Sequence, residues 1–595
     1  MGPASGDAHA DWRHTPAGGY FGPSRTPESG LRFRRLVAAA LLSAAPVLLS
    51  AQDPVPPRRD SAFVRVQPRD SLTRRDSAFV RVQPRDQDSL GRPIIRHIEV
   101  HRSDIFAEDE AKGWLPRLVN GLHVTTIPSV VSREILFQPG DPYDSLTAAE
   151  TLRNLRTTGL FRKVQLDTVR TDSGLVLKVL TQDGWSTQLD ARFRSAGNQT
   201  DWMAGLVERN LLGTGTRFAT RYRHTPDRSL LNFQFLQPRL IKRSVLLGLR
   251  YENRSDGERA SVAIERPFFS LNDRAGLYTL FDIRDERVLR FRDGSSDASD
   301  SLRRRFVHGR VDFAYALDHS RRGYKRVGLM AQVRRDDYAV WNAQPGARSL
   351  TAALGPYFEW RRANYVVARG FTRVGRDEDV DVSNLLRLQV LAAPTLLGYD
   401  RDGLGLLAQL RVGTQLGKRD GFAWIDTRAN GLYTSTGLDS GSVQLGGTAV
   451  LTPARKHLLI GHADIGWIKN PQPALEFDLG FAQGPRGFPI HAFTGDRSYF
   501  ATAEYRYLFG EDVFKALDLG VAGFVDHGGA WWHTDPRRTG TNLGLGLRLG
   551  ASRAADANPT RLDLAYRFKN DHEKAGWVFV LASGLVFSTN PRGVQ

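Results

Sequence analysis

The feature that most constrains the fold is an alternation of apolar and polar side chains that runs from Trp185 almost to the C-terminus. From Arg561 to Phe568, for example, every second residue belongs to an apolar face, and the other face carries arginine and aspartate. A period of two residues indicates β-strands. A soluble sandwich would also alternate, but its polar face rarely carries so many charges opposite such an aromatic-rich face. The pattern therefore predicts a transmembrane β-barrel.

Closure of this barrel follows from the membrane environment, where every backbone N–H and C=O must be paired inside the sheet. We assign residues 184–588 to the barrel, and roughly 25 residues per strand and turn predict about sixteen antiparallel strands. The last strand, Trp577 to Phe587, ends in an aromatic residue, as insertion signals of outer-membrane proteins usually do, and residues 589–595 form a tail. Aromatic residues near strand ends predict interfacial girdles: Trp185, Trp202, Tyr499, Trp531, Trp532 and Trp577.

The composition excludes several other classes of protein. After the first fifty residues, the 595-residue chain has no apolar run long enough for a transmembrane helix. It contains no cysteine, which removes disulfides, thiolate metal sites and cysteine nucleophiles. The net charge of +18 comes mostly from arginines scattered through alternating segments, and no nucleic-acid motif accompanies them. We therefore expect no nucleic-acid partner.

The N-terminal region is typical of an exported protein. Arg32, Arg34 and Arg35 precede an apolar stretch that ends at Ala51, so residues 1–51 are interpreted as an N-terminal extension and a secretory signal peptide. The extension before the signal is explained most simply by a start codon assigned too early. Residues 52–92 contain a charged tandem repeat and are predicted to be a disordered linker.

Residues 93–183 have a different texture and predict a small α/β domain. A strand at Ile94–Val100 is followed by helices near Ser129 and from Ser145, and by strands at Leu160–Val164 and Gly174–Leu180. This β-α-α-β-β order resembles a POTRA domain, with an insertion after the first strand that holds a helix around residues 108–118. The resemblance implies a sheet edge that binds polypeptides by β-augmentation. A spacer that only caps the barrel is the equal alternative.

One loop near the C-terminus carries an arginine that we expect to be buried. Arg486 is followed by Gly487, which permits a close backbone approach, and by Phe488, which can pack beside it. Glu504 and Asp526 occupy the polar phase of nearby strand segments, so both can point into the lumen. Because a guanidinium can bind a carboxylate bidentately and is costly to bury unpaired, we expect ion pairs here. The alternative is a solvated loop arginine without a partner.

Three motifs and the small domain together resemble the BamA/TamA-like superfamily of outer-membrane assembly and translocation barrels, also called bacterial surface antigens. The motifs are Asn210-Leu211-Leu212-Gly213-Thr214-Gly215 at the first barrel hairpin, Pro485-Arg486-Gly487-Phe488 at the sixth extracellular loop, and Phe524-Val525-Asp526-His527-Gly528 on a later strand. The resemblance implies that Arg486 pairs with the acidic residues Asp526 and Glu504. It also implies a location in the bacterial outer membrane with the POTRA domain in the periplasm.

Enzymatic functions find no support in the sequence. There is no Gly-x-Ser-x-Gly nucleophile elbow and no phosphate-binding loop. His527 and His533 lie near Asp526, but further metal ligands are lacking in the pattern. We expect no catalytic residue, no metal and no cofactor.

The expected function is the assembly, insertion or translocation of other outer-membrane proteins. By analogy with the superfamily, the first strand, about Trp185 to Arg194, and the last strand meet at a weak seam where a client strand can pair. The expected partners are the outer-membrane bilayer, client outer-membrane or secreted polypeptides, and periplasmic accessory proteins. Two alternatives stay open: a two-partner-type secretion translocator, and a passive or structural barrel whose pore is closed by a loop.

Overall fold

The computed structural model describes residue 88 and residues 91–587, with gaps at 172–173, 197–198, 241–244, 272, 292–297, 321, 341–346, 399–400, 418–420, 472, 474, 481–482 and 555–558. The predicted extension and signal peptide, nearly all of the predicted linker and the C-terminal tail lie outside the described residues. Within the described part, no helix is long and apolar enough to cross a membrane.

A small domain at the N-terminal side contains three strands and three helices. Its elements, in chain order, are β1 (Ile95–Ser103), α1 (Trp114–Leu122), α2 (Pro128–Glu134), α3 (Ser145–Thr157), β2 (Phe161–Thr171) and β3 (Gly174–Asp183). Strand β3 is central, parallel to β1 and antiparallel to β2. Buried Val131, Leu155 and Leu177 belong to the core between sheet and helices. The expected two helices are present, and the insertion contributes α1, which begins at Trp114.

Helix α3 begins where the sequence predicts because Asp144 caps it. The Asp144 carboxylate accepts a hydrogen bond of 2.8 Å from the backbone N–H of Thr147, one of the groups left unpaired in the first turn of a helix. The helix ends before Gly159, whose φ of 66° is readily adopted by glycine.

The rest of the described chain forms mainly one closed β-barrel of twenty strands, in which β27 returns to β4. These strands are β4 (Thr187–Ala196), β5 (Gln199–Leu211), β6 (Thr216–His224), β7 (Ser229–Gln237), β8 (Leu246–Arg254), β9 (Gly257–Arg266), β10 (Ala275–Arg290), β11 (Asp300–Ser320), β12 (Gly323–Val340), β13 (Ala347–Arg362), β16 (Asn384–Ala393), β17 (Gly403–Leu416), β18 (Gly421–Thr434), β19 (Gly437–Ala454), β20 (His457–Lys469), β23 (Arg497–Val513), β24 (Leu517–Trp531), β25 (Gly540–Ala551), β26 (Thr560–Arg567) and β27 (Gly576–Ser583). The prediction of a closed barrel is confirmed, and the prediction of about sixteen strands is wrong. Many hairpins are tight, so a strand and its turn need only about 20 residues on average.

The two faces of the barrel wall differ as the alternation predicts. Along β11, Val311, Phe313 and Tyr315 are exposed on the outside, whereas Asp312 and Ala314 between them are buried. An apolar outer surface of this kind is suited to contact with lipid.

Two segments of the chain fold into the barrel. The first, which we call the luminal loop, is residues 470–496 and contains β21 (Phe477–Leu479) paired with β22 (Phe493–Gly495). The second, the luminal hairpin, is residues 363–383 and contains β14 (Tyr365–Arg369) paired with β15 (Asp377–Asp381). A short 3-10 helix at Thr395–Leu397 follows β16. Side chains from both segments and from the wall form one buried apolar cluster.

The luminal loop and the luminal hairpin enter from opposite ends of the barrel. Strand β4 leaves the small domain, so each connection after an even-numbered barrel strand, counted from β4, lies at the domain end. The luminal hairpin follows the tenth strand, β13, and the luminal loop follows the fifteenth, β20. A contact with the small domain agrees with this assignment. Nη1 of Arg156 in α3 lies 3.1 Å from Oδ2 of Asp379 in the luminal hairpin.

The junction between the first and last strands is short. Strand β27 pairs with β4 only at Phe579 with Ser195, Val580 with Arg194, and Leu581 with Phe193. On its other side, β27 pairs with β26 along the whole length of that strand, and β4 pairs with β5 from Thr187 to Ala196. Residues 187–192 of β4 therefore have no described ladder partner on the side that faces β27.

The C-terminal strand ends earlier than the sequence predicts. It stops at Ser583 rather than Phe587, and Gly584 follows with a φ of 78°. The chain then turns inward, and the buried ring of Phe587 stacks on His462 with 4.1 Å between ring centroids. The expected terminal aromatic residue is thus present, but it belongs to the interior cluster instead of the end of a strand.

Candidate functional site

The turn that carries Arg486 lies against the inner wall of the barrel. The backbone N–H of Phe488 bonds to the carbonyl of Pro485, which closes the turn. The backbone N–H of Gly487 donates a 3.0 Å hydrogen bond to Oδ1 of Asn542 on β25. A Cβ atom at Gly487 would come within 2.8 Å of the Asn542 side chain, so only glycine permits this approach without a shift.

Arg486 is 1% exposed and is surrounded by acidic groups. Its Nε and Nη2 donate to the two carboxylate oxygens of Asp526 at 2.8 and 3.0 Å, a bidentate pair. Its Nη1 donates to Glu504 and to Asp563, both at 3.2 Å. The guanidinium also lies over the ring of Phe524, with Cζ 3.6 Å from the centroid. The structure thus brings Arg486 together with both predicted acidic residues and with Asp563, which the sequence reasoning missed.

Three further arginines complete this arrangement. Arg506 and Arg548 donate to Glu504 at 2.6 and 3.1 Å, and Arg548 and Arg561 donate to Asp563 at 2.6 and 2.9 Å. We call the set of four arginines and three acids the luminal charge cluster: Arg486, Arg506, Arg548, Arg561, Glu504, Asp526 and Asp563. All seven are buried. Arg486 is the cation bound to Asp526, so its loss leaves that buried carboxylate without a counter-ion.

Neutral side chains of the wall orient the Asp526 carboxylate independently of the luminal loop. Thr502 of β23 donates to its Oδ1 at 2.7 Å, and Asn542 donates to its Oδ2 at 2.9 Å. Because these donors belong to the two strands beside β24, the acceptor for Arg486 is built into the wall. The wall therefore defines the position of the loop.

The luminal charge cluster also reaches the luminal hairpin. Arg506 donates to the carbonyl of Phe371 at 2.6 Å and to that of Gly370 at 3.1 Å. Gly370 has a φ of 83° and approaches Leu508, so a side chain there would be strained. Arg506 thus joins the hairpin from the domain end to the loop from the far end.

Phe488 packs beside the turn as expected. It is fully buried, lies 5.1 Å from the Phe493 ring, and fills the space above Gly540. With twenty strands, the loop that carries it is the eighth at the far end rather than the sixth, because four additional strands precede it.

The motif at residues 210–215 docks the small domain. Asn210 and Leu211 end β5, and Gly213 and Gly215 lie in the turn that leads to β6. This is the second hairpin of the barrel and its first turn at the domain end, not the first hairpin as expected. Asn210 Nδ2 donates to Oγ1 of Thr126 at 2.8 Å, and Gly213 accepts from the backbone N–H of Ile127 at 3.0 Å.

Thr126 is in turn held by the last residue of β3. Its backbone N–H and hydroxyl both donate to Asp183, at 2.6 and 2.8 Å. Gly213 and Gly215 have φ values of 74° and 75°, so this turn depends on glycine in the left-handed region. The turn after β5, the segment that follows α1 and the end of β3 therefore contact one another at the buried Thr126.

The histidines near Asp526 have ordinary partners. His527 bonds to Tyr499 and Thr541, and His533 bonds to Asp496. Among the residues that the structure describes, no group of three or more His, Cys, Asp or Glu is arranged to hold a metal ion.

A histidine in the luminal loop pins it to neighbouring loops at the far end. His491 donates from its two ring nitrogens toward Asp478 at 2.7 Å and Asp227 at 2.9 Å, and its ring stacks on Phe291. Burial alone would lower the pKa of His491, but the two aspartates outweigh burial and raise this pKa to about 10. His491 is therefore a cation at neutral pH. Burial and the neighbouring Asp478 raise the pKa of Glu476 to about 7.

Comparison with known proteins gives only remote structural likenesses. The chain is similar to the solved structure of BamA from Haemophilus ducreyi lacking POTRA domains 1–3, with 14% sequence identity over 82% of this chain and 85% of that chain and a TM-score of 0.36. It is similar to CdiB from Escherichia coli, with 10% identity over 83% and 77% and a TM-score of 0.44. It is also similar to the siderophore receptor PirA from Acinetobacter baumannii, with 9% identity over 71% and 85% and a TM-score of 0.34. No protein-family model and no curated protein matches the chain. At this level the likenesses do not establish a family.

Replacement of Arg486 by glutamine is expected to destabilise the barrel and free the luminal loop. Removal of one partner from a buried ionic network costs about 3–5 kcal/mol. Thermal unfolding of the purified protein in detergent, together with the rate of proteolysis within residues 470–496, measures both effects. Arg486→Lys should be intermediate because an ammonium cannot bind Asp526 bidentately.

The matched control for Arg486 is Arg305→Gln. The Arg305 side chain is half exposed and lies 3.7 Å from Asp285, so its removal should cost less than about 1 kcal/mol. Equal melting temperatures for Arg486→Gln and Arg305→Gln would contradict a structural role for the luminal charge cluster.

His491→Gln is expected to lower stability in a pH-dependent way. The raised pKa means that the contribution of His491 is complete below its unfolded pKa of about 6.5 and is lost as the pH rises toward 10. The difference in melting temperature between the unmodified protein and His491→Gln should therefore be larger at about pH 6 than at about pH 9.5. Exposed His572→Gln is the control and should show no such trend. A difference that grows with pH would show that the sign is wrong.

Asn210→Ala is expected to loosen the small domain from the barrel. The substitution removes the Nδ2 donor to Thr126 Oγ1 and the Oδ1 acceptor of the Gly215 N–H, at a cost of about 1–3 kcal/mol. Hydrogen exchange at Ile127 and Gly215 should become faster, while the barrel strands stay protected. Thr214→Ala, which removes a hydroxyl that bonds to Leu211 and Thr216 within the same turn, is the control. Similar exchange rates in the two variants would contradict the docking role of Asn210.

Proposed function

We propose that this chain is an outer-membrane barrel of the BamA/TamA-like superfamily that inserts or translocates other polypeptides. Residues 93–183 would be its single periplasmic POTRA domain, and residues 184–588 its barrel. The observation that carries the proposal is the three-residue junction between β27 and β4, the shortest ladder between neighbouring strands of the described wall. The proposed process breaks no covalent bond and requires no cofactor.

The short junction supports a role as a strand-exchange edge. A backbone hydrogen bond contributes about 0.5–1.5 kcal/mol net in water, and considerably more is lost when its groups are left unpaired in lipid. Opening β27 from β4 breaks far fewer bonds than opening any neighbouring pair. The unpaired edge at residues 187–192 of β4 then offers N–H and C=O groups to an incoming strand, which is β-augmentation within the membrane.

The two segments inside the barrel suit a wall that keeps its shape while one edge opens. Apolar side chains of the luminal loop and of the luminal hairpin belong to one buried cluster. The luminal charge cluster forms hydrogen bonds with both segments. A barrel of this kind keeps its wall in shape while a single edge opens. We propose that Arg486, Gly487 and Phe488, with Asp526 and Glu504, maintain this shape rather than bind a client.

We propose that the small domain delivers a client to that edge. Its sheet has two outer strands, β1 and β2, and much of β2 after Gln165 is exposed. Salt bridges between Arg239 and Glu134 and between Arg156 and Asp379 hold it at the barrel mouth. We propose that polypeptides pair with an outer strand before they reach β4.

A disulfide across the junction tests the proposal. Because the natural chain has no cysteine, Phe193→Cys with Leu581→Cys introduces the only two thiols, at directly opposed positions. In cells depleted of the natural protein, this variant should restore outer-membrane protein levels when reduced and fail when oxidised. Quantitative proteomics of the outer membrane measures the difference and also identifies whether many barrels or one protein is lost.

The matched control joins β26 to β27, where no opening is proposed. Leu564→Cys with Phe579→Cys occupies an opposed pair on that ladder and should support normal protein levels in both redox states. Full function of the oxidised β27–β4 variant would refute exchange at this edge. Unchanged outer-membrane composition on depletion would favour the passive or structural alternative instead.

A further inference from the structure

Helix α1 carries an apolar stripe that the described structure leaves uncovered. Trp114, Leu118 and Leu122 are spaced four residues apart, and their exposed fractions are 76%, 50% and 68%. Positions four apart lie on one face of a helix. Three large apolar side chains on one short helix are more than the scattered exposure common on protein surfaces.

The opposite face of α1 is firmly attached, so the stripe does not result from a loose helix. The Asn120 side chain bonds to both the N–H and the carbonyl of Phe106, at 3.1 and 2.8 Å. Just after the helix, the half-buried His123 lies 2.8 Å from Asp104. The orientation of the stripe is therefore determined by contacts on the inner side.

The stripe continues onto the barrel at its domain end. Val124 and Ile127, which follow the helix, pack against Gly213 in the turn between β5 and β6. In that turn Leu212 is 72% exposed and has a φ of 53°, an unfavourable conformation for leucine that presents its side chain outward. Leu189 and Leu206 on adjacent strands are exposed on the outer face of the wall.

A second barrel turn extends the same surface. Arg553 connects Glu110, near α1, to Asp512 at the end of β23, at 3.0 and 2.7 Å. Two residues further on, Phe514 is almost completely exposed and also has a positive φ, of 54°. Helix α1 and the two turns thus present apolar side chains beside the rim from which the lipid-facing wall begins.

We propose that α1, with the turns at Leu212 and Phe514, is an interfacial anchor that lies in the headgroup region of the leaflet on the small domain's side. The occupant is a lipid surface because the stripe is continuous with the apolar outer wall and lies at its edge. Tryptophan and leucine on one face of an amphipathic helix are the residues that enter this layer. The residues just after α1 contact the turn that follows β5, the strand paired with β4, so the anchor holds the small domain beside that edge. The proposal needs the barrel to be in a membrane but does not depend on what it does to clients.

The absence of cysteine makes a direct test possible with the full-length protein. Leu118→Cys gives a single thiol that is labelled with an environment-sensitive fluorophore after reconstitution into vesicles of phosphatidylcholine and phosphatidylglycerol. Vesicles with a nitroxide on the phosphatidylcholine headgroup quench a label that lies in the interface. The reference positions are Leu545→Cys on the outer wall and Val169→Cys on β2 of the small domain, both exposed.

We expect quenching at position 118 to exceed that at position 169 by at least about twofold. Adding Trp114→Ser and Leu122→Ser to Leu118→Cys should reduce quenching to the level at position 169. Adding Leu146→Ser, an exposed residue of α3, should leave it unchanged. The same substitutions placed in the Leu545→Cys background should not alter quenching there, which shows that the barrel remains inserted.

Equal quenching at positions 118 and 169 would overturn the proposal. A label at 118 that is unquenched in lipid vesicles but shielded from a water-soluble quencher in isolated outer membranes would also overturn it, in favour of a protein partner on this face. Neither outcome bears on the disulfide test of the β27–β4 edge, so the two proposals can fail separately.

Discussion

A sheet surrounded by hydrocarbon must satisfy its own backbone, and the rest of this structure depends on that constraint. It explains why twenty alternating strands close into one barrel rather than split into smaller units. The constraint is met least completely at the junction of β27 and β4, where only three residue pairs are formed. In the function that we propose, the wall opens at this shortest ladder, and no other part of it needs to be unstable.

Buried charge provides the second level of organisation. The wall supplies Glu504, Asp526 and Asp563 as acceptors, and three of the four arginines that neutralise them are also on wall strands. Only Arg486 arrives from a loop. A buried network of this kind contributes more to the choice of one geometry than to net stability, because its desolvation is costly. The loop therefore has one well-defined position, and Phe488 and Gly487 fit only in that position.

Much of this could be predicted from sequence because it depends on period and phase. The alternation predicted the strands, and the shared polar phase of Glu504 and Asp526 predicted their inward direction. Asp563 has the same phase on β26 but no motif marks it, so its contact with Arg486 depended on the register between distant strands. The strand number was wrong because turn lengths carry little pattern. The luminal hairpin was missed because β14 and β15 have only five residues each, and neither shows an alternation of apolar and polar residues.

The inward position of Phe587 has a consequence for how the molecule is assembled. Its ring belongs to the same apolar cluster as Phe371 of the luminal hairpin and Phe488 of the luminal loop. That cluster therefore lacks a member until the final strand has been placed. Closing the wall and filling its interior are consequently parts of one cooperative event, and the last ordered residues of the chain complete both.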